Sequence, residues 1–274
     1  MKYSPKRELK RFLDEDVGKV DITSKLLRKE KITAKIITRE NTIVAGTKFA
    51  KEIFALKKCR VKINKKDGEM AKTNQIILEI NGNAGSILTC ERTVLNLLSR
   101  MCGIATQTNN LKRQIKQVGS KSKLFATRKT APGLRFFDKE AVKIGGGEKH
   151  RMTLNEMIMI KDNHLAVENS ITDILHKAKK TKGKIEIEVE TQKDAILCAQ
   201  MGVDIIMLDN FTPEQINKTI KKLTELKLRK KVILEASGRI NSKNIVKYAK
   251  TNVDMISIGS ITNSVDGIDL SLEI

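Results

Sequence analysis

The stretch from Thr127 to His164 carries many side chains that could bind an anion. It reads TRKTAPGLRFFDKEAVKIGGGEKHRMTLNEMIMIKDNH and holds two of the chain's three histidines. Arg offers a planar fork of donors that matches a carboxylate or phosphate, Lys a compact charge and His a switchable donor. The glycines at 145–147 would let backbone N–H groups approach an anion closely. The segment therefore predicts a pocket for a small polyanion, with candidate ligands Arg128, Lys129, His150, Arg151 and Lys161.

The charge of the chain allows two other interpretations of this segment. With 53 Lys and Arg residues and a net charge of +21, any window of this length contains several cations, and these often form a solvated surface. Such a charge would also suit a nucleic-acid-binding protein. However, the lysines are scattered over most predicted helices and only 3% of residues are aromatic. We therefore favour a lysine-rich surface whose field attracts an anionic substrate, and expect no nucleic-acid partner.

Composition also predicts the cellular compartment of the protein. The chain has no run of about 18 apolar residues, and its charged N-terminal segment MKYSPKRELKRFLDED lacks the apolar centre of a signal peptide. We expect a cytoplasmic protein without a membrane partner. The four cysteines show no CxxC pairing, so we predict neither a disulfide nor a zinc site: Cys59, Cys90, Cys102 and Cys198.

From about Gly119 onward, strand-like apolar runs alternate with helical patterns. The predicted strands are 123–127, 157–161, 184–190, 203–209, 231–237 and 254–260. The predicted helices are 168–180, 192–202, 212–226 and 241–250. From residue 157 onward the strands begin about 19 to 28 residues apart, the length of a βα unit. This pattern predicts a parallel (β/α) barrel or a doubly wound sheet.

The first hundred residues follow a different pattern. Residues 61–82 have strand-turn-strand character around Asp67-Gly68. A helix is predicted from Ile87 to Met101, with Gly103 ending it. We expect a boundary between two domains near residues 105–115.

Polar residues end the predicted strands of the second part. In a (β/α) barrel the chemistry gathers at these carboxyl ends. The ends are Arg128-Lys129, Lys161 to His164, Glu188 and Glu190, Asp209-Asn210, Ser237-Gly238, and Gly259-Ser260. The Ser and Gly residues offer hydroxyl and N–H groups for a phosphate, although Ser237-Gly238 alone also fits a plain turn. Glu186, Glu188 and Glu190 share one strand face, which is costly inside a barrel unless cations, magnesium or substrate hydroxyls pair with them.

These motifs together resemble the quinolinate phosphoribosyltransferase family. The likeness runs over almost the whole chain, and its most specific elements are TRKTAPGLR (127–135), GGGEKHR (145–151) and KDNH (161–164). The resemblance implies an α/β protein: an N-terminal α/β hammerhead-like sandwich domain over residues 1–108 and a C-terminal open (β/α) barrel over 109–274. The last residues are expected to pack back on the N-terminal domain.

The implied reaction is decarboxylating phosphoribosyl transfer from phosphoribosyl pyrophosphate to quinolinate. It gives nicotinate mononucleotide, pyrophosphate and CO2 in NAD biosynthesis. By resemblance, the quinolinate carboxylates would be held by Arg128, His150, Arg151 and Lys161, with Arg92 from the neighbouring subunit of a homodimer. Phosphoribosyl pyrophosphate would be held by Lys129, Glu188, Asp209, Ser237, Gly238, Gly259 and Ser260. Lys129, Lys161, Glu188 and Asp209 are the expected catalytic residues.

The resemblance also implies a magnesium ion, shared between substrate and the carboxylates of Glu188 and Asp209. It leaves open whether dimers assemble further and whether Glu188 or Glu190 is the essential carboxylate. The chain departs from the family pattern at Arg239, where relatives commonly have glycine, and at Asn263, where they often have histidine. Either change could alter the phosphate loop.

Two further alternatives are open. One is a relative of the same fold that acts on another acid, such as the paralogue found with molybdate transport genes; the intact KDNH motif argues against it. The other is a scaffold without catalytic activity, which the complete set of charged residues argues against.

Overall fold

The computed structural model describes residues 4–27 and 29–274, so the first three residues of the charged N-terminal segment lie outside the description. The chain divides into two compact units. Unit 1 consists of Met1–Asn109, Ala131–Gly146 and Ser264–Ile274, and unit 2 of Asn110–Thr130 and Gly147–Asn263. The boundary expected after residue 108 stays a prediction.

The strands, in chain order, are β1 Lys31–Thr38, β2 Thr42–Ile43, β3 Arg60–Ile63, β4 Met70–Ala71, β5 Ile76–Asn83, β6 Lys123–Ala126, β7 Ile158–Ile160, β8 Ile185–Val189, β9 Ile205–Asp209, β10 Ile233–Ser237, β11 Met255–Ile258 and β12 Leu270–Glu273. The α-helices are α1 Pro5–Val17, α2 Thr47–Leu56, α3 Ala84–Gln117, α4 Arg135–Ile144, α5 Asp162–Glu168, α6 Ile171–Lys179, α7 Gln192–Gln200, α8 Pro213–Glu225, α9 Ile245–Ala249 and α10 Ser260–Asn263. Short 3₁₀ turns occupy Ser24–Leu26 and Arg229–Lys231.

Unit 1 contains an antiparallel sheet of order β12-β1-β5-β3 and a small β2-β4 ribbon. The predicted strand-turn-strand is present as β3 and β5, with β4 between them in the chain. Gly68, in the turn, has a φ of +92°, which glycine adopts without strain. The last strand, β12, pairs with β1, so the chain ends within this sheet.

The prediction that Gly103 ends a helix is wrong, because α3 runs through it to Gln117. Gly103 serves packing instead: a Cβ there would lie 2.1 Å from the carbonyl oxygen of Asp266. Gly145 has a similar function at the end of α4, where a Cβ would lie 2.4 Å from the carbonyl oxygen of Ala105. Gly145 therefore lets α4 pack closely against α3 within unit 1. This packing explains a glycine at position 145 without the anion contact that the GGG sequence suggests.

Unit 2 is built on a six-stranded sheet of order β6-β11-β10-β9-β8-β7. Every adjacent pair is parallel, and β6 and β7 are the two edge strands. The α/β class and an open, barrel-like sheet are thus confirmed. All six predicted strands are present because their Ile- and Val-rich runs fill a buried core, in which Ile187, Ile206 and Leu234 have no exposed surface. Helices α7 and α8 start within one residue of the prediction, whereas α6 begins three residues and α9 four residues later than predicted. The side chains of Ser170, Thr191 and Thr212 cap α6, α7 and α8.

Within the described residues, no helix combines the length and apolar character needed to cross a membrane.

Candidate active site

Polar side chains of unit 2 gather at the carboxyl edge of the parallel sheet. Asp209 ends β9 and Ser237 ends β10, and the two are direct partners in the sheet register. Ala126 of β6 pairs with Ile258 of β11, so the residues after them leave the sheet at the same level. The predicted site residues at or just beyond this edge are Arg128, Lys129, Lys161, Glu188, Asp209, Ser237, Gly238, Gly259 and Ser260. The parallel sheet therefore brings the two predicted halves of the site to one rim.

The loop that carries His150 and Arg151 is attached to the free edge of β6. The backbone N–H of Ala126 donates to the carbonyl of Glu148 at 3.0 Å, and the N–H of Glu148 donates to the carbonyl of Leu124 at 2.8 Å. Two residues further, His150 has a φ of +53°, and its ring packs edge-on to Phe125 with centroids 5.9 Å apart. These backbone hydrogen bonds to β6 fix the loop from which the side chains of His150 and Arg151 extend.

Arg128 and Arg151 form a pair of like charges, of which Arg128 is half-buried and Arg151 is buried. The Nε atom of Arg128 is buried and has no hydrogen-bond partner among the described residues. Arg151 is 9% exposed, and its guanidinium donates to the carbonyl of Met157 at 3.2 Å. Burial and the neighbouring Arg128 lower the pKa of Arg151, while Glu186 opposes them. Two guanidinium groups in this arrangement favour an anion that bears more than one acceptor.

His150 lies against two buried carboxylates. Its Nε2 atom is 3.3 Å from an oxygen of Glu186 and 3.3 Å from an oxygen of Glu235, and both glutamates have no exposed surface. One ligand atom from each of the three residues lies within 4.8 Å of the others, a spacing that also suits a metal ion. Burial raises the pKa of Glu186, and the charge of Glu235 adds to this effect.

Two features of the structure favour different protonation states of His150. Burial lowers the pKa of His150, whereas the neighbouring carboxylates of Glu186 and Glu235 raise it and favour a charged ring. The Nδ1 atom, however, already accepts the backbone N–H of Arg151 at 2.8 Å. A second ring proton would sit on Nδ1 and break this bond, so the geometry is that of a neutral ring with its proton on Nε2.

Lys161, Glu188 and Asp209 form the charged centre of the rim. The ammonium of Lys161 donates to a carboxylate oxygen of Glu188, whose side chain is 12% exposed. Burial raises the pKa of Asp209, and Glu188 and Glu190 raise it further, whereas Lys161 and Lys129 lower it. Carboxylates are therefore in surplus at this point of the rim.

Glu190 differs from Glu188 in its surroundings. It is exposed and follows the end of β8, whereas Glu188 is within the strand and engages Lys161. His164 is exposed as well, and its Nδ1 atom accepts the backbone N–H of Lys161 at 3.0 Å. His164 thus caps the first turn of α5 and sets the backbone from which Lys161 extends.

Two glycines allow close approaches at the rim. A Cβ on Gly259 would lie 2.9 Å from the Cδ atom of Lys129, so the lysine stem crosses this glycine. The backbone of Lys129 is held by the hydroxyl of Thr262, which donates to its carbonyl at 2.7 Å. Gly238 has a φ of +93°, and a Cβ there would lie 2.4 Å from the side-chain oxygen of Asn210. Neither position accommodates a side chain without movement.

Arg239 adopts a left-handed backbone, with a φ of +53°. This conformation costs a non-glycine residue about 1 kcal/mol, which explains why glycine suits the position. The carbonyl of Arg239 accepts the side-chain amide of Asn244 at 3.1 Å, a contact that helps to hold the turn. The backbone N–H of Asn263 donates to the carbonyl of Gly259 at 3.1 Å.

Two family models match this chain. "Quinolinate phosphoribosyl transferase, C-terminal domain" matches residues 104–273, and "Quinolinate phosphoribosyl transferase, N-terminal domain" matches residues 21–102. The chain belongs to the quinolinate phosphoribosyl transferase family. The resemblance inferred from the motifs is thereby confirmed.

Individual members of the quinolinate phosphoribosyl transferase family are similar over their full length. A protein of Methanothermobacter thermautotrophicus named "probable nicotinate-nucleotide pyrophosphorylase (carboxylating)" is 42% identical over 272 residues, which cover 97% of each chain. The nicotinate-nucleotide pyrophosphorylase (carboxylating) of Dictyostelium discoideum is 37% identical over 291 residues, covering 100% of this chain and 96% of its own. The solved structure of the nicotinate-nucleotide pyrophosphorylase from Francisella tularensis has a TM-score of 0.92 at 39% identity, covering 99% of this chain and 97% of its own.

The structure places most of the predicted site residues at or just beyond the ends of the strands, and their functions stay predictions. Arg92 is exposed on α3, within unit 1, and its contribution to a neighbouring subunit stays a prediction. Glu235 was missed, although it precedes Ser237 by two residues and so lies on the same face of β10. That alternation is the signal that could have revealed it. The pairing of Glu186 with His150 needed the structure, because 36 residues separate the two in the chain.

We predict that Arg128→Leu stabilises the free protein. Leucine removes a buried donor without a partner and the charge that faces Arg151, so the free energy of unfolding should rise by about 1 kcal/mol. Urea denaturation in the absence of ligands measures this change. Arg229→Leu is the matched control, since its guanidinium lies 3.0 Å from Asp254 and 20% of its side chain is exposed. That variant should lose stability, and a loss in both variants would contradict the prediction.

Proposed function

We propose that this chain transfers the phosphoribosyl group of phosphoribosyl pyrophosphate to the ring nitrogen of quinolinate and releases the adjacent carboxylate as CO2. The products are nicotinate mononucleotide, pyrophosphate and CO2. As a quinolinate phosphoribosyl transferase, the chain is an enzyme of NAD biosynthesis. The observation that carries the choice of a dicarboxylate is the Arg128–Arg151 pair, in which a buried guanidinium nitrogen has no partner in the described chain.

The quinolinate half of the site consists of Arg128, His150, Arg151 and Lys161. Two neighbouring guanidinium groups match the two adjacent carboxylates of the ring, because each fork can accept one carboxylate. Lys161 adds a point charge at the border with the second substrate, where it already engages Glu188. Binding a dianion here replaces repulsion between cations with attraction.

The phosphoribosyl pyrophosphate half consists of Lys129, Glu188, Asp209, Ser237, Gly238, Gly259 and Ser260. Lys129 is exposed and its stem crosses Gly259, so its ammonium is available to a phosphate group. Ser237-Gly238 and Gly259-Ser260 end neighbouring strands, β10 and β11, and offer hydroxyl and N–H groups to the 5-phosphate. Glu188 and Asp209 would meet the ribose hydroxyls.

Magnesium fits the carboxylates of Glu188 and Asp209. It prefers oxygen ligands and usually combines one or two carboxylates with phosphate oxygens and water. Burial raises the pKa of Asp209 most and the neighbouring charges of Glu188 and Glu190 add to it, and a bound cation would offset the repulsion among these carboxylates. When bound, the ion would neutralise charge on the pyrophosphate as it leaves.

The carboxylates of the rim favour the transition state over the ground state. As pyrophosphate departs, positive charge develops on the ribose at C1. Glu188 and Asp209 repel each other in the resting site, and a nearby positive charge relieves this repulsion. No covalent nucleophile is needed, which agrees with the inert character of Cys102. Its thiol is buried, and burial raises its pKa to about 12.

Decarboxylation follows from the same charges. Once the ring nitrogen is bonded to C1 of the ribose it is positive, and loss of CO2 leaves an electron pair on the adjacent ring carbon. The positive nitrogen and the guanidinium groups of Arg128 and Arg151 stabilise this pair until it takes up a proton from solvent and forms the C–H bond.

The remaining expectations belong to this proposal. We expect a cytoplasmic homodimer in which the exposed Arg92 of one subunit completes the quinolinate site of the other. We expect no nucleic-acid and no membrane partner, and we take the high positive charge as a solvated surface that attracts anionic substrates.

The proposed reaction is tested with purified protein, quinolinate, phosphoribosyl pyrophosphate and magnesium. Nicotinate mononucleotide and CO2 should form in equal amounts, measured by chromatography and by release of labelled CO2. With nicotinate in place of quinolinate no comparable turnover is expected, because only one carboxylate meets the two guanidinium groups. Turnover with nicotinate but not with quinolinate would overturn the substrate.

The two halves of the site are separated by Lys161→Ala and Glu188→Ala. Loss of a charged hydrogen bond from Lys161 should raise KM for quinolinate by about 10- to 100-fold. Loss of the Glu188 carboxylate should lower kcat by about 100-fold or more and change KM for quinolinate much less. Steady-state kinetics with each substrate varied in turn measures both effects.

Lys177→Ala and Glu168→Ala provide matched controls for this pair. They break an exposed Lys–Glu ion pair in the same unit, whose lysine side chain is 63% exposed. Both controls should retain the kinetic constants of the unmodified enzyme. If Lys161→Ala reduced only kcat and Glu188→Ala only quinolinate binding, the assigned roles would be wrong.

A further inference from the structure

Glu186 and Glu235 are buried carboxylates that have no direct function in the proposed reaction. They extend from β8 and β10, the two neighbours of β9 in the sheet, and neither has exposed surface. Burying two carboxylates close together is costly unless hydrogen bonds offset it. Both oxygens of Glu186 and one of Glu235 make no standard hydrogen bond in the described chain. Their one close polar neighbour in common is the ring of His150.

The Nε2 atom of His150 lies midway between the two carboxylates, 3.3 Å from each. The Nε2–H makes a hydrogen bond to Glu235, and the carboxylate of Glu186 attracts it from the same distance without meeting hydrogen-bond geometry. The edge of Phe125 restricts the ring further. Strand β8, strand β10 and the β6 side of the sheet therefore determine one orientation of the imidazole.

The other ring nitrogen points to the main chain. Nδ1 of His150 accepts the backbone N–H of Arg151 at 2.8 Å, and His150 itself is held at a φ of +53°. Such a backbone is strained for a non-glycine residue and persists only where its surroundings require it. Both ring nitrogens therefore contact protein groups. The ring positions the next residue, Arg151.

We propose that Glu186 and Glu235 are positioning residues: by holding the Nε2–H of His150 between them, they direct Nδ1 to the backbone of Arg151 and fix the guanidinium of Arg151 for a substrate carboxylate. His150 then acts through Arg151 and not as a direct ligand of that carboxylate. The identity of the substrate rests on the proposed function, whereas the orientation of His150 does not.

The orientation of the ring is measured by NMR without substrate. The chain has only three histidines, so His150→Asn assigns the His150 signals in protein labelled with 15N. In the unmodified protein at neutral pH, Nε2 should carry the proton and Nδ1 should be free to accept. A proton on Nδ1, alone or together with Nε2, would overturn the proposal.

Glu235→Leu and Glu235→Gln separate an acceptor from mere bulk. Leucine fills the space without accepting a hydrogen bond, whereas the oxygen of glutamine still accepts the Nε2–H. Glu235→Leu should raise KM for quinolinate about tenfold, leave KM for phosphoribosyl pyrophosphate unchanged and broaden or shift the His150 signals. Glu235→Gln should restore both the signals and KM for quinolinate to near their original values.

Three results would contradict the positioning role. Equal increases of both KM values in Glu235→Leu would indicate a general structural function, and identical behaviour of the two variants would exclude the hydrogen bond from His150 to Glu235. Stoichiometric broadening of the His150 signals by Mn2+ would identify the three residues as a metal site. If quinolinate is not turned over but the predicted tautomer is found and lost in Glu235→Leu, the proposed function fails while the orientation of His150 stands.

Discussion

The parallel sheet of unit 2 places charges of both signs at one edge, partly out of water, and the pairing of these charges governs the site. Lys161 and Glu188 neutralise each other, and His150 is set between Glu186 and Glu235. Arg128 and Arg151 lie close enough for their like charges to repel, and the buried Nε of Arg128 has no hydrogen-bond partner among the described residues. Buried charges without adequate partners are costly in the free protein. A ligand with two carboxylates would pair with these guanidinium groups. The like charges that destabilise the free protein would therefore strengthen the binding of a dianion.

The supporting structure is rigid where the chemistry needs precision. The loop before His150 is bonded to β6, and the hydroxyl of Thr262 holds the backbone of Lys129. Gly259 lets the lysine stem cross the main chain. These contacts come from the sheet and its adjoining turns. They hold a few cations in defined positions in a chain with a net charge of +21.

Local sequence patterns predicted most of the fold and much of the site. Strands of unit 2 are apolar runs of regular spacing, and because parallel strands end at one edge, Asp209 and Ser237 could be brought together without a structure. Local patterns were insufficient where a distant backbone decides. Gly103 looks like a helix end, but the chain segment at Asp266 packs against it and the helix continues. The partners of His150 were also hidden, because β8 and β10 supply one carboxylate each.

Isothermal titration calorimetry of quinolinate and of nicotinate, without the second substrate, measures whether the rim is built for a dianion. Quinolinate should bind at least about tenfold more tightly, since its second carboxylate gains a charged hydrogen bond to the guanidinium pair. Arg128→Leu should abolish this difference and Arg229→Leu should keep it. Equal dissociation constants of the two acids in the unmodified protein would contradict a site in which Arg128 and Arg151 bind two carboxylates of one ligand.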